Sequence, residues 1–367
     1  MQFASRYLLI VLVILFGLHP SVSGEDLFTS NDGPHVYWQN DTTAIVFYLC
    51  DDSVISITIT ASDTIRFAGF CGDSTTEYII PTSKPVPASD IFNNVSKVFA
   101  MSDVHGDYEE FVEILVNTGV IDSSLHWVWG EGHFVITGDV VDRGDHVTEC
   151  LWLIYRLELE AARAGGAVHM LLGNHELMVI RGDLRYVQSK YMKGIGHRSK
   201  IKYDHLFGQD MELGRWLRSK NTVIRINKTL FVHGGVAPEI MYSKISLNRL
   251  NELARMGLDN SAPTLFFSDT IKQLYGTIGP FWYRGYIHEM KNYPATTSEQ
   301  IDSLLEYYEV EQIVVGHSQH DSVTALHQGR IIAIDVRVED IGGQEALLWK
   351  DGHFYRVTGQ GQLILIK

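Results

Sequence analysis

Lys97-Val98-Phe99-Ala100-Met101-Ser102-Asp103-Val104-His105-Gly106 carries an apolar run straight into a carboxylate, an imidazole and a glycine. The run reads as a buried strand that delivers Asp103 and His105 at its C-terminal end. The arrangement recurs downstream. Residues 133–137 lead into Gly138-Asp139-Val140-Val141-Asp142-Arg143-Gly144, and residues 167–172 into Gly173-Asn174-His175-Glu176. Thr229–Val232 leads into His233-Gly234-Gly235, and Gln312–Val315 into Gly316-His317. Residues 107–115 read as a helix capped by Asp107, and 148–164 as a crossover helix ended by Gly165-Gly166. Strands alternating with helices predict an α/β domain, and the loops just past such strands are where open α/β sheets gather their sites.

Upstream of residue 97 the pattern changes. Residues 34–82 are rich in Thr, Ile, Val, Phe and Tyr, in short alternating runs punctuated by Asp51-Asp52, Ser62-Asp63 and Gly72-Asp73-Ser74. This spacing predicts a small antiparallel β module, with the Pro-containing stretch 81–87 as the way out of it. The expected organisation is a module and linker over 25–96 and a catalytic domain over 97–367. Residues 1–24 place Arg6 before an apolar stretch over 8–18, followed by Ser21, Ser23 and Gly24. They read as a cleaved signal peptide, so the protein is expected to be exported, periplasmic or secreted, without stable membrane insertion after cleavage. In an oxidising compartment Cys50 and Cys71 could form a staple, which spacing alone does not decide; Cys150 reads as a small buried residue of the crossover helix. Asn40, Asn94 and Asn227 begin Asn-x-Ser/Thr sequons, meaningful only in a eukaryotic secretory pathway.

Lys and Arg number 30 against 44 acids, a net charge of −14, which argues against nucleic acid or an anionic membrane as the main partner. A phosphorylated substrate is itself an anion, so the field must be inverted locally by metal cations and a few placed arginines. The five loop motifs supply such a set. Asp103 and His105 form an i, i+2 pair able to clasp one cation, Asp139 is the natural bridging carboxylate, and Asn174, His233 and His317 suit a second ion. Two cations ~3.5–4 Å apart can hold a hydroxide between them for in-line attack on phosphorus. His175 is expected close to the metals without binding them, protonating the leaving oxygen while Asp142 holds its other nitrogen. Arg143 and Arg284 are candidates for gripping the phosphate oxygens; an arginine packed on aromatic faces is the other reading of Arg284. Lys190, Lys193, His197, Arg198, Lys200 and Lys202 form a basic cluster that reads either as a substrate-attracting lid or as a solvated surface. Tyr186, Tyr191, Tyr203, Phe281, Trp282, Tyr283 and Tyr286 could line an aromatic slot, or belong to the core.

The Asp-x-His-Gly, Gly-Asp-x-x-Asp-Arg-Gly and Gly-Asn-His-Glu blocks at 103–106, 138–144 and 173–176 resemble the calcineurin-like metallophosphoesterase superfamily, in its phosphoprotein-phosphatase-like branch. Leu172 stands where eukaryotic Ser/Thr enzymes of that branch carry Arg, and Trp282-Tyr283-Arg284-Gly285 is similar to the block of the Shewanella-like phosphatases, which include cold-active enzymes acting on phosphotyrosine. Gln319 replaces the second His of the Gly-His-x-His ending found in many nucleases and diesterases of the superfamily. The resemblance spans roughly residues 97–345 and implies a β-sandwich flanked by helices, a dinuclear centre of Zn, Mn or Fe, and phosphomonoester hydrolysis. The expected substrate is a phosphorylated protein, with phosphotyrosine preferred, or a small phosphomonoester. Two alternatives stand beside it: a dinucleoside polyphosphate hydrolase, which can share the first three motifs, and a catalytically idle phospho-ligand binding protein.

Overall fold

A computed structural model describes residues 31–71, 76–259, 269–287, 295–336 and 343–367. The expected signal peptide over 1–24 lies outside the described residues. In the N-terminal module, β1 (Asp32–Trp38), β2 (Thr43–Cys50) and β3 (Ser53–Thr60) pair antiparallel, and β4 (Thr64–Ala68) forms a hairpin with β5 (Glu77–Pro81). Cys50 and Cys71 are joined in a disulfide, which answers the question their spacing left open. Cys150 is a buried thiol whose pKa burial pushes well above the usual range, as its structural reading requires.

The module shares its core with the catalytic domain. Phe67 and Tyr78 pack on Trp152, whose indole N–H donates to the Pro34 carbonyl, and Trp38 donates to the buried Glu212. Trp152 belongs to α2 (Val147–Arg163), the crossover helix, while α1 (Tyr108–Asn117) follows the first motif. Asp107 caps α1 by accepting from the Glu110 N–H.

The catalytic strands are β6 (Ile91–Phe92), β7 (Lys97–Met101), β8 (His133–Ile136), β9 (Ala167–Met170), β10 (Val223–Ile226), β11 (Thr229–Val232) and β12 (Gln312–Val315). β13 (Thr324–Leu326), β14 (Ile331–Ala333), β15 (Ala346–Lys350), β16 (His353–Val357) and β17 (Leu363–Leu365) complete the set. They build two six-stranded sheets, ordered β17-β16-β15-β7-β8-β9 and β13-β14-β12-β11-β10-β6. β6 falls inside the stretch expected to be linker; a two-residue strand carries no periodicity to read.

Side-chain alternation explains the layering. Val98, Ala100 and Val135 face Phe231, Val314 and Ile332 across the inter-sheet core. Phe99, Met101, Phe134 and Ile136 turn the other way, toward α1 and α2, while Val232, Ile313 and Val315 meet the helices Leu247–Met256 and Ser298–Tyr308. Register then sets the height of the loops. Met101 pairs with Ile136 and Ile136 with Met170, so the first three motifs leave their sheet at one level. Val232 pairs with Val315, which does the same for His233 and His317.

Between β8 and β9, His169 Nε2 lies 2.9 Å from His133 Nδ1, and the Phe92 ring packs on both. Burial pushes His133 down to about 4 and His169 well below its ordinary value. Both are therefore neutral when folded, and the unfolded chain takes up protons first as pH falls below ~6.5. Stability attributable to the pair is full above that pH and is lost as pH falls toward 4. Thermal denaturation should show Tm falling between pH 6.5 and 5, with a shallower fall in the double variant His133→Gln, His169→Gln. Parallel slopes for the two proteins would show that the proton linkage lies elsewhere.

Candidate metal centre

The loops past these strands hold unusual backbone. Asp103 (φ 52), His105 (φ 48), Asp139 (φ 57), Asp142 (φ 70), Arg143 (φ 64) and His317 (φ 65) are all left-handed. Such conformations cost roughly 1–2 kcal/mol each for non-glycine residues, so the surroundings must impose them. They do so by loop-to-loop hydrogen bonds: His105 N–H to the Asp139 carbonyl at 2.9 Å, Gly106 N–H to Val140 at 2.9 Å, and Gly144 N–H to His105 at 2.8 Å. Where the second and third loops cross, both partners are glycine. A Cβ on Gly173 would lie 2.2 Å from Asp139 Oδ1, and one on Gly138 (φ 113) would lie 2.4 Å from the Gly173 nitrogen.

Glu176 ties this crossing together. Fully buried on the first turn of α3 (Asn174–Ile180), its carboxylate accepts from the N–H groups of Gly173 (2.8 Å), Asp139 (2.9 Å), Val140 (2.8 Å) and Val141 (3.2 Å). The sequence reading gave Glu176 no role, although its place three residues after Gly173 is the spacing of a capping box. Ser102 was also missed. Its hydroxyl donates to Asp103 Oδ2, which also accepts from the His317 N–H at 3.1 Å, and the Thr137 hydroxyl donates to Ser102 in turn.

The structure brings all the expected ligands together around Asp139, only 2% exposed. His105 Nδ1 donates to the Val141 carbonyl (2.9 Å) and His233 Nδ1 to that of Thr137 (3.1 Å), which turns each Nε2 inward. His233 Nε2 then faces two oxygens, Asn174 Oδ1 at 2.9 Å and Asp139 Oδ2 at 3.2 Å. His105 Nε2 and His317 Nε2 are buried without a hydrogen-bond partner among the described residues. Inward lone pairs among oxygens that cannot donate call for a cation, so these residues fit metal ions. Two groups of atoms lie close enough to share an ion, Asp139–His233–His317 and His105–Asp139–His175, the atoms of each within 4.8 Å of one another; in the second, His175, expected beside the metals and not on them, stands where Asp103 was expected. Asp103 is adjacent to that second group rather than inside it, its Oδ1 3.8 Å from His105 Nε2.

Electrostatics agree with that reading. Burial alone would raise Asp139, but His233, His175 and His105 hold it well below its ordinary value. Burial would lower His233, yet Asp139 pushes it up to about 9, so without a metal the centre draws in a proton. Burial keeps His105 and His317 down, as neutral ligands must be. His175 Nδ1 sits 2.7 Å from Asp142 Oδ2, and this bond together with Asp139 outweighs burial and raises its pKa. Its Nε2 points back to the centre, 3.9 Å from Asp139 and 3.5 Å from Arg143 Nη2. Arg284 lies beside the same centre, its Nη1 donating to the His317 carbonyl at 2.6 Å and to Ser318 Oγ at 3.1 Å.

The aromatic slot is smaller than the sequence suggested. Tyr191, Tyr203, Phe281, Tyr283 and Tyr286 are buried core. Two rings remain at the site: Tyr186, 47% exposed and 5.2 Å from the His175 ring, and Trp282, 5.9 Å from the His317 ring. The basic cluster does not act as one unit either. Lys190 reaches the Asp145 carbonyl and Glu149, while Arg198 pairs with Asp52 of the N-terminal module. These contacts fasten the segment to its neighbours instead of leaving it as a lid.

Comparison with known proteins agrees with this geometry. The calcineurin-like phosphoesterase model matches residues 96–321. A cold-active protein-tyrosine phosphatase of a psychrophilic Shewanella species, known from its crystal structure, is 35% identical, with a TM-score of 0.83 over 92% of this chain and 99% of that one. Shewanella-like protein phosphatase 2 of Arabidopsis thaliana is 27% identical over 67% of this chain and 72% of the relative. Shewanella-like protein phosphatase 1 of Plasmodium berghei is 25% identical over 62% of each. The chain belongs to the calcineurin-like phosphoesterase family and is a metal-dependent phosphatase.

Glu176 gives a direct test of how the centre is held. Glu176→Ala leaves four buried N–H groups without their acceptor, which should cost about 3 kcal/mol or more. Denaturant unfolding should report that loss, and metal analysis a loosened centre. Stability within about 1 kcal/mol of the parent would mean that the loop crossing holds by other means.

Proposed function

We propose that the protein is a phosphomonoester hydrolase acting on phosphotyrosine in proteins, with two divalent or trivalent cations at the Asp139 centre. The observation that carries this reading is the convergence of inward-facing, donor-free imidazole nitrogens on a buried carboxylate. Asp103 and His105 would hold one ion, Asn174, His233 and His317 the other, and Asp139 both. When bound, such ions supply Lewis acidity and an acidified water.

The chain's own groups do the rest. His175 holds a proton on Nε2 for the leaving oxygen, and Asp142 on Nδ1 keeps it charged and aligned. Arg143, beside His175, and Arg284, beside His317, would bind phosphate oxygens. Tyr186 and Trp282 lie beside His175 and His317, where an aryl ring could stack. The likeness to a protein-tyrosine phosphatase over 92% of this chain supports the phosphotyrosine assignment. A dinucleoside polyphosphate hydrolase has less behind it: the symmetrical bis(5'-nucleosyl)-tetraphosphatase of Aggregatibacter actinomycetemcomitans is matched over only 52% of its length. An exported, periplasmic or secreted setting is part of the proposal. It rests on the leader-like sequence of residues 1–24 and draws support from the Cys50–Cys71 disulfide. Among the described residues no helix is long and apolar enough to cross a membrane.

The test compares matched phosphotyrosine and phosphoserine peptides with diadenosine tetraphosphate, before and after metal stripping and reconstitution. The expected result is metal-dependent turnover with kcat/KM about tenfold or more in favour of phosphotyrosine, since ring stacking and burial combine. Equal rates on the two peptides would remove the specificity, and preference for the dinucleotide would replace the reading. His175→Ala should cost ~10²–10⁴-fold with alkyl phosphates and much less with aryl phosphates bearing good leaving groups. Equal losses on both would rule out the acid role.

A further inference from the structure

The loop from Asp142 to Val147 carries Arg143 and lies between two other stretches of backbone. Its even residues bond one side: Gly144 N–H donates to the His105 carbonyl at 2.8 Å and His146 N–H to that of Gly106 at 3.2 Å. Its odd residues bond the other side, toward residues 186–191. Arg143 N–H donates to the Tyr186 carbonyl at 2.9 Å, and the Asp145 carbonyl accepts from the Tyr191 hydroxyl at 2.8 Å and from Lys190 Nζ. Val147 N–H then donates to the Tyr191 oxygen at 2.7 Å. A strand is held between two neighbours by the same alternation. Here one neighbour bonds largely through side chains.

Tyr191 is the informative residue. It stands on α4 (Ser189–Lys193), is buried, and its ring packs on Tyr203 at 5.1 Å. Its one hydroxyl both donates and accepts, and both partners are backbone groups of the Arg143 loop. It also replaces a missing cap: His146, at the start of α2, makes no side-chain cap bond, and the Tyr191 oxygen takes the N–H of the first helical residue. The loop needs this support. Asp142 (φ 70) and Arg143 (φ 64) are both left-handed. The Arg143 guanidinium has no carboxylate partner among the described residues, its contact being His175 Nε2 at 3.5 Å. Backbone, not an ion pair, therefore sets where it points.

Resting on the phosphate-binding role given to Arg143 in the phosphatase reading, we propose that Tyr191 is a positioning residue for phosphate binding that acts through Arg143. Its hydroxyl, with Lys190 beside it, holds residues 145 and 147 and through them the left-handed backbone of Arg143. The guanidinium then already stands beside His175 when a phosphate arrives. A side chain held in place beforehand loses less freedom on binding, which raises affinity for the oxyanion. Lys190 Nζ also lies 3.9 Å from Glu149 Oε1, so its hold on the Asp145 carbonyl is steadied from α2.

Binding tests this without relying on turnover. Calorimetry on the metal-loaded protein reads the affinity for inorganic phosphate. Arg143→Ala should weaken it ~10–100-fold, Tyr191→Phe about tenfold and Lys190→Met about threefold, as a charge-assisted contact is removed or misaligned. Metal content should match the parent in all three. In an Arg143→Ala background neither Tyr191→Phe nor Lys190→Met should have any further effect, since both act through the missing guanidinium. A loss that persists in that background, or one accompanied by loss of metal, is a general loosening and overturns the positioning role. Parent-like affinity in Tyr191→Phe overturns it too. Lys190→Met keeps the Tyr191 hydroxyl and carries the same cycle if Tyr191→Phe does not fold. Parent-like affinity in Arg143→Ala would instead remove the phosphate grip itself, and the positioning role with it.

Discussion

The buried carboxylate of Glu176 is the constraint on which the rest of the centre depends. By accepting from Gly173, Asp139, Val140 and Val141 it fixes two loops from two strands against one another. Only then can Asp139 stand in left-handed backbone with its own carboxylate facing three histidines. The glycine-to-glycine crossing of Gly138 and Gly173 is the steric half of the same device: without side chains there, the acceptor can reach all four donors. Strain at the ligands and satisfaction at Glu176 are two sides of one arrangement.

The sandwich supplies what this knot needs from a distance. Register in both sheets brings the motif loops out level, and the two sheets are held apart by one shared apolar layer. His105 and Asn174 come from one sheet and His233 and His317 from the other, so the centre bridges the sandwich edge. Relative sliding of the sheets would break it. The N-terminal module bears on this indirectly, since its Phe67 and Tyr78 pack on Trp152 of the helix that follows the Asp139 loop. Lys190 and Tyr191 add a second tie, binding the Asp145 carbonyl from the segment that Arg198 links to the module.

Charge in the centre is organised differently from the composition of the chain. The chain is acidic overall, and within the centre opposite charges are set against one another: His233 is pushed up to about 9 while Asp139 is held ionised. Buried imidazoles and a buried carboxylate make a place that fits cations, with Arg143 beside His175 and Arg284 beside His317.

Much of this was legible in the chain alone. The apolar run at 97–102 followed by Asp103 and His105, and its recurrences, predicted the α/β layering, because a strand that ends in paired ligands can only deliver them at a sheet edge. That Asp139, His175, Asp142, His105, His233 and His317 would gather at one place was readable because each sits in a short motif just past a strand. Other features depended on contacts that no local pattern encodes. Whether Cys50 met Cys71, which aromatics were core, and that Arg198 faced Asp52 instead of a substrate were decided by packing across the module boundary. Asp335 lies 232 positions after Asp103 in the sequence, and only the pairing of β12 with β14 brings it alongside the metal loops. Sequence determined which groups were available; the long-range register of two sheets decided which of them meet, because side chains distant along the chain share a site only when the backbone between them has been folded back.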